Sequence, residues 1–184
     1  MHLRKFLIIT SLLLSTEMAN AQSRFGEPAT QADIDKSFWT VFPDGEFLPD
    51  GSGSAVAGKE LFEYNCLICH NMPGETDPVK DEIGKLFGVD DKRDRTNLQQ
   101  TIGSYWPYPT TIFDYVRRAM PLLAPMSLSN SDYYALTAYL LYENGVIAED
   151  DIMNKSTLPN VEMPNKDGFI NAYPEVPEKY KSKP

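Results

Sequence analysis

The pentapeptide CLICH at 66–70 constrains this chain more than any other feature. It contains both cysteines of the sequence, Cys66 and Cys69, and it ends in His70, one of only two histidines. Two residues between the cysteines place both sulfurs on one side of a helical turn, with the imidazole directly after them. The fold must therefore bring two thiols and one imidazole to the same place.

Three kinds of site use cysteines at this spacing. A thioredoxin-like dithiol lies at a strand-to-helix junction in a βαβ unit, and no strand-rich segment precedes Cys66. A structural zinc site needs four ligands, and the sequence has no second cluster of cysteine or histidine. Cys-x-x-Cys-His is the attachment signature of c-type haem. The motif therefore predicts one haem c covalently attached to Cys66 and Cys69, with His70 as an axial ligand of the iron.

The first 21 residues have the pattern of a secretory signal peptide. Arg4 and Lys5 precede an apolar run at 6–14, and the small-residue sequence ANA ends at Ala21. The run is too short for a membrane anchor, which needs about 20 apolar residues. We expect cleavage after about Ala21, a periplasmic location and no membrane anchor in the mature chain. His2 is removed with this segment, which leaves one histidine.

The chain is acidic. Its 184 residues include 26 Asp and Glu against 17 Lys and Arg, and loss of the signal peptide changes the formal charge from −9 to −10. Nucleic-acid binding needs clustered basic residues, so this class of function is excluded. The charge favours a basic protein partner instead.

Helical patterns surround the motif and predict an all-α fold. They occupy 55–64, 111–120 and 131–143. The second pattern begins with a capping sequence at Thr111 and is stopped by Pro121. The third has Ser129 or Ser131 as its N-cap and Gly145 just past its end. Its apolar residues form one stripe, which predicts a helix with a single buried face.

The flanks differ from this helical core. They hold most of the prolines and few helical patterns, so we expect extended, loop-rich segments. The predicted organisation is a signal peptide at 1–21, an N-terminal flank at 22–54, a haem domain at 55–145 and a Pro-rich extension at 146–184. The flanks are also rich in aromatic residues, namely Phe25, Trp39, Phe42, Phe47, Phe169 and Tyr173. We expect these anchors to wrap the flanks around the domain or to dock on a partner.

The pattern as a whole resembles class I cytochromes c. Gly58 and Phe62 lie eight and four residues before Cys66, and Tyr139 lies in the last helix. In that family the first and last helices cross at such a glycine, with an aromatic side chain of each helix at the contact. The resemblance implies a class I cytochrome c fold in which Phe62 meets Tyr139.

The second axial position of the iron has no histidine available. Methionine is therefore the leading ligand, and the mature chain offers Met72, Met120, Met126, Met153 and Met163. Met72 is too close in sequence to His70 to reach the opposite haem face, and the last two lie beyond the last helix. Class I cytochromes carry their ligand in a Met-Pro loop, so the resemblance implies Met120, with Met126 as the alternative.

A narrower resemblance covers most of the mature chain. The sequences GSYWPYPTTIFDYVRRAMP at 103–121 and ALTAYLLY at 135–142 are similar to the cytochrome subunit of bacterial sulfite and sulfane dehydrogenases. GEPAT at 26–30 and MPNKDGF at 163–169 extend the similarity into both flanks. The resemblance implies a molybdenum-cofactor dehydrogenase subunit as partner, a downstream cytochrome or oxidase as acceptor, and a single-haem form. The stretch 71–97 matches no family pattern.

Residues near the second helix have tentative haem roles. Tyr105 and Trp106 could donate hydrogen bonds to a haem propionate, although ordinary core aromatics fit equally well. Arg117 or Arg118 could offset propionate charge, whereas a favourable interaction with the helix dipole is the plainer interpretation.

Three functions are left open by the sequence. The first is an electron-accepting, non-catalytic haem subunit of a sulfur-compound dehydrogenase, and the second is a freely diffusing cytochrome. The third, a haem enzyme, is the weakest, because no distal histidine or acid–base pair accompanies the motif.

Overall fold

The structure is a computed structural model that describes residues 28–32, 40–88 and 100–169. The chain divides into two units, Met1–Phe38 and Trp39–Pro184. All elements named below belong to the second unit. The predicted signal peptide lies outside the described residues, as do Phe25, Trp39 and Tyr173.

The second unit is mainly helical. Its helices are α1 (Ala55–Asn65), α2 (Pro78–Ile83), α3 (Ile102–Tyr105), α4 (Pro109–Ala119) and α5 (Asn130–Glu143). Two three-residue strands, β1 (Ser52–Ser54) and β2 (Ile152–Asn154), pair antiparallel, and a 3₁₀ turn spans Leu158–Asn160. Across 28–32, 40–88 and 100–169, no helix is long and apolar enough to cross a membrane.

Helix α5 is the centre of the core. Ser129 is its N-cap and forms a capping box with Asp132, as one of the two predicted alternatives had it. Every residue from 133 to 141 is buried, so the predicted single stripe is wrong. The reason is that α1, α4 and both strands all pack on α5, which leaves it no solvent face.

Helices α1 and α5 cross without space for a side chain at Gly58. A Cβ atom there would lie 1.9 Å from the Ala135 carbonyl oxygen, far inside van der Waals contact. The rings of Phe62 and Tyr139 lie next to this crossing, with their centroids 5.3 Å apart. Both implications of the class I resemblance are therefore confirmed.

Helix α4 begins earlier than the sequence pattern predicts. Its first residue is Pro109 and its N-cap is Tyr108, which makes no side-chain cap bond, so the predicted start at Thr111 is wrong. Proline suits the first helical position because its φ is already helical and it has no N–H to satisfy. The helix ends at Ala119, just before Pro121, as predicted.

Both flanks pack on the helices. Strand β1 comes from the N-terminal flank and β2 from the C-terminal one, so their pairing ties the flanks together. The predicted wrapping is confirmed for 40–54 and 146–169, but the anchors are different. The buried flank residues are Val41, Leu48, Met153, Leu158 and Met163. The aromatic residues Phe42, Phe47 and Phe169 are 44%, 48% and 51% exposed.

Candidate haem site

The CLICH pentapeptide continues α1 as one further helical turn. The Cys66 amide donates to the Phe62 carbonyl at 2.8 Å, which carries the helical bonding past the end of α1. The amides of Cys69 and His70 donate to the Cys66 carbonyl at 3.0 and 2.9 Å. This turn places the two cysteines three residues apart on a helical backbone, as the sequence predicts.

The two cysteines are free thiols with different surroundings. Cys66 is half-buried and Cys69 is exposed. Burial raises the pKa of Cys66 to about 11, and the neighbouring Cys69 adds to the increase. A redox-active dithiol needs a lowered pKa, so this environment disfavours that alternative. Within the described ranges, no three His, Cys, Asp or Glu side chains converge as a metal site.

The imidazole of His70 is half-buried. Within the part of the chain that the structure describes, its Nδ1 atom has no hydrogen-bond partner. Burial lowers the pKa of His70, the Gly84 backbone opposes this change, and the positive charge of Lys80 adds to it. An iron ligand needs a nitrogen that carries no proton, and a neutral imidazole has one such nitrogen. Together with the two cysteines of the motif, this imidazole forms a donor set that fits haem c.

Helix α2 braces the motif. Asp77 caps the helix by accepting from the Val79 amide at 2.9 Å. From this helix the Lys80 ammonium donates to the Leu67 carbonyl, inside the motif, at 2.6 Å. Asn71 Nδ2 donates to Asp81 at 2.9 Å, which holds the chain just after His70. The sequence analysis assigned no structure to this stretch, although Asp77-Pro78 is a typical helix start.

Phe87 is a partly buried residue that packs against the core, and the sequence analysis missed it. Its ring lies 5.5 Å from that of Phe62 and 6.0 Å from that of Tyr139, edge-on to both. The stretch after α2 thereby joins the α1–α5 crossing. This stretch also lines a cleft of about 370 Å³, together with residues 71–76 and Glu143.

The two leading methionines lie in one loop between α4 and α5. Met120 is half-buried at the C-cap of α4, where its amide donates to the Val116 carbonyl at 3.0 Å. Met126 is 55% exposed and has a φ of 61°, and its amide donates to the Arg117 carbonyl at 3.2 Å. The choice between them stays a prediction. Leu122 and Leu123 between them are also exposed, at 73% and 97%.

The other methionines have different surroundings. Met153 and Met163 are 3% and 2% exposed and belong to the hydrophobic core. Met72 is partly buried against the same core, two residues after His70. Met153 also occupies β2, where it pairs with Gly53. That none of the three is the iron ligand stays a prediction.

The three predicted propionate residues lie at the end of α3, directly after it, and in the last turn of α4, namely Tyr105, Trp106 and Arg117. The Trp106 ring packs edge-on against Tyr115 at 5.7 Å. The Tyr105 ring packs against Phe169 at 5.4 Å. The charge of Arg117 lies near Tyr134, whose pKa it lowers against the larger effect of burial. Their predicted contacts with the propionates stay predictions.

Comparison with known proteins agrees with this site. The family model for cytochrome c matches residues 55–143, from the start of α1 to the end of α5. A chain in the crystal structure of the sulfane dehydrogenase SoxCD from Paracoccus pantotrophus is 34% identical, with a TM-score of 0.68. The match covers 89% of this chain and 80% of that one. No curated protein matches. With its α1–α5 crossing, its helical CLICH turn and these matches, the chain belongs to the cytochrome c family and has the class I fold.

Proposed function

We propose that this chain is a periplasmic haem subunit that accepts electrons from a molybdenum-containing sulfite or sulfane dehydrogenase. The observation that carries the proposal is the extent of the similarity to the SoxCD chain. The family model ends at 143, whereas that similarity covers 89% of the chain. It therefore reaches well into the flanks, which a small diffusing carrier would not need.

The cofactor part of the proposal rests on the CLICH turn. One haem c would be held by thioether bonds from Cys66 and Cys69, with His70 and Met120 as axial ligands. When bound, the haem takes up and releases single electrons. Ligation of the iron by His70 and Met120 would leave no site on it for a small substrate. A methionine ligand also favours the ferrous state and suits an electron acceptor.

The cofactor can be tested on the exported protein. We expect the pyridine haemochrome spectrum and the intact mass to give one haem per chain. Cys66→Ala and Cys69→Ala should each lose one thioether link, which shifts the haemochrome band. A haem that acid-acetone extracts from the unchanged protein would contradict covalent attachment.

The partner can be tested by affinity purification from the native host. We expect molybdenum to co-purify with the haem at a constant ratio, because a stable interface buries roughly 1,000 Å² or more and survives dilution. An untagged chain expressed in the same cells is the control. A purified chain with iron and no molybdenum would favour the freely diffusing carrier, the second function that the sequence leaves open.

A further inference from the structure

Asn144 directly follows α5, and its side chain is buried, with 1% exposure. Its Nδ2 donates to the Leu140 carbonyl at 2.7 Å and to the Leu86 carbonyl at 3.1 Å. Its Oδ1 accepts from the amides of Gly88 at 3.1 Å and Gly103 at 3.2 Å. A carboxamide has two N–H groups and two lone pairs, so every hydrogen-bonding position of Asn144 is used.

The surroundings of Asn144 are shaped for this side chain. A Cβ atom at Gly103 would lie 2.9 Å from Asn144 Oδ1, so glycine is what leaves space for the amide. Gly88 has a φ of 140°, in the region that favours glycine. The Gly88 carbonyl accepts from the Thr101 hydroxyl. Asn144 and Thr101 therefore hold the backbone of 86–88 from two sides.

The segment 86–88 leads back to the axial histidine. It follows Gly84 by two residues, and Gly84 closes α2 by donating to the Lys80 carbonyl at 3.4 Å. The same helix holds the CLICH turn, because Lys80 donates to the Leu67 carbonyl and Asp81 accepts from Asn71, next to His70. The Gly84 backbone is also close enough to the His70 ring to oppose the lowering of its pKa by burial. When one nitrogen of a histidine binds a metal, the other carries a proton, and its acceptor makes the ligand more electron-rich. The position of Gly84 thus bears on the ligand strength of His70.

We propose that Asn144 is a positioning residue for His70, because its bonds to Leu86 and Gly88 set where the Gly84 backbone meets the imidazole. Asn144 lies 56 residues along the chain from Gly88 and 58 residues from Leu86, whose backbone groups it binds. This inference rests on haem attachment at the CLICH turn and is independent of the identity of the electron donor.

The test compares three variants of the haem-loaded chain. Asn144→Leu removes all four hydrogen bonds at similar volume, and Asn144→Asp keeps the acceptor but loses both donors. Thr137→Val is the matched control, because Thr137 is also buried in α5 and its hydroxyl donates to the Tyr133 carbonyl at 2.7 Å. The readouts are the reduction potential, the hyperfine-shifted His70 ring signals in the ferric protein, and the urea midpoint.

We expect all three variants to unfold at lower urea. Only the two Asn144 variants should raise the reduction potential and move the His70 signals, with Asn144→Asp between wild type and Asn144→Leu. In the haem-loaded chain, the amides of Gly88 and Gly103 should exchange faster in Asn144→Leu alone, because Asn144→Asp keeps their acceptor.

A wild-type potential and unmoved His70 signals in Asn144→Leu would overturn the proposal and leave Asn144 a purely structural residue. If Asn144→Leu does not fold, Asn144→Asp decides by the same two readouts. A wrong haem assignment would also overturn the proposal, but it has a different signature. In that case the unchanged protein itself would lack haem absorption.

Discussion

At the scale of single residues, desolvation acts in the same sense on two side chains of the CLICH turn. Burial raises the pKa of Cys66 to about 11 and lowers the pKa of His70, so it disfavours the charged form of both groups. An iron ligand needs an unprotonated nitrogen, so burial of the His70 ring favours the form that can bind.

The axial methionine can be assigned with two substitutions. Met120→Ala should abolish the weak near-infrared band of iron–thioether ligation, because the proposed ligand is removed. Met126→Ala is the matched control from the same loop and should keep that band. If Met126→Ala loses the band and Met120→Ala keeps it, Met126 is the iron ligand.

Tyr134 offers a prediction with a defined pH dependence. Its buried hydroxyl donates to the Pro49 carbonyl at 2.9 Å, and burial raises its pKa from 10.0 to about 12. Tyr134→Phe should lower the free energy of unfolding by about 1 kcal/mol at pH 8. Between pH 10 and 12, the unfolded wild type loses a proton that the folded state retains, so wild-type stability falls there and the difference should shrink.

Urea titrations of both proteins at pH 8 and pH 11 measure this difference. The other tyrosines are common to both chains and cancel in the comparison. A difference that does not change with pH would mean that the Tyr134 pKa is not raised.

The residues of the site differ in how far sequence could predict them. The motif is local, so its spacing alone identifies Cys66, Cys69 and His70. Asn144 could not be identified in this way, because its acceptors and donors in the 86–88 segment lie 56 and 58 residues away. Phe87 was missed for the same reason, since its ring partners come from α1 and α5.

At the scale of secondary-structure elements, the α1–α5 crossing organises the fold. Gly53 of β1 and Gly58 of α1 both meet Ala135, where a Cβ atom would lie 2.2 Å and 1.9 Å from its backbone atoms. Two elements thereby approach one point of α5 at backbone contact distance. The helix that carries the CLICH turn is held in place by this contact.

Gly58→Ala should push α1 and α5 apart at their crossing. The added methyl group meets backbone, which cannot rotate away as a flexible side chain would, so we expect a loss of about 2 kcal/mol in unfolding free energy. Val56→Ala on the same helix is the control, because Val56 is 58% exposed and should change stability by less than about 0.5 kcal/mol. Thermal unfolding of both variants measures this, and equal stabilities would contradict the close crossing.

The N-cap of α5 gives a second prediction at this scale. Ser129 accepts from the Asp132 amide at 3.2 Å, and its own amide donates to the Asp132 carboxylate at 3.0 Å. Ser129→Ala should therefore cost about 1 kcal/mol of stability. Ser127→Ala, at an exposed position two residues earlier, should cost almost nothing in the same urea titration. A loss of the same size in both would argue against the cap.

Element boundaries were predictable where capping chemistry is explicit. Ser129 marks the start of α5 and Pro121 the end of α4, as their side chains dictate. The predicted start of α4 at Thr111 is wrong because the helix already begins at Pro109, whose fixed φ suits the first helical position. Tertiary contact, which no local pattern reports, explains why α5 is buried on every side.

At the scale of the whole molecule, the described flank residues 40–54 and 146–169 are part of the folded unit. Pairing of β1 with β2 links them, and Leu48, Leu158 and Met163 add buried surface outside the helices. The exposed aromatic residues Phe42 and Phe47 lie against one another, with centroids 5.9 Å apart. The flanks thus contribute to stability from inside and leave aromatic surface outside, which fits a subunit of a larger assembly.

The central claim is that this chain receives electrons from a dedicated dehydrogenase. The most direct measurement is the haem absorption of the material purified from the native host, recorded before and after sulfite or a carrier-bound sulfane is added. We predict that the preparation contains molybdenum and that one of the two donors reduces the haem, with sulfane as the donor if sulfite fails. A molybdenum-free haem protein that neither donor reduces would contradict the account and identify a diffusible carrier.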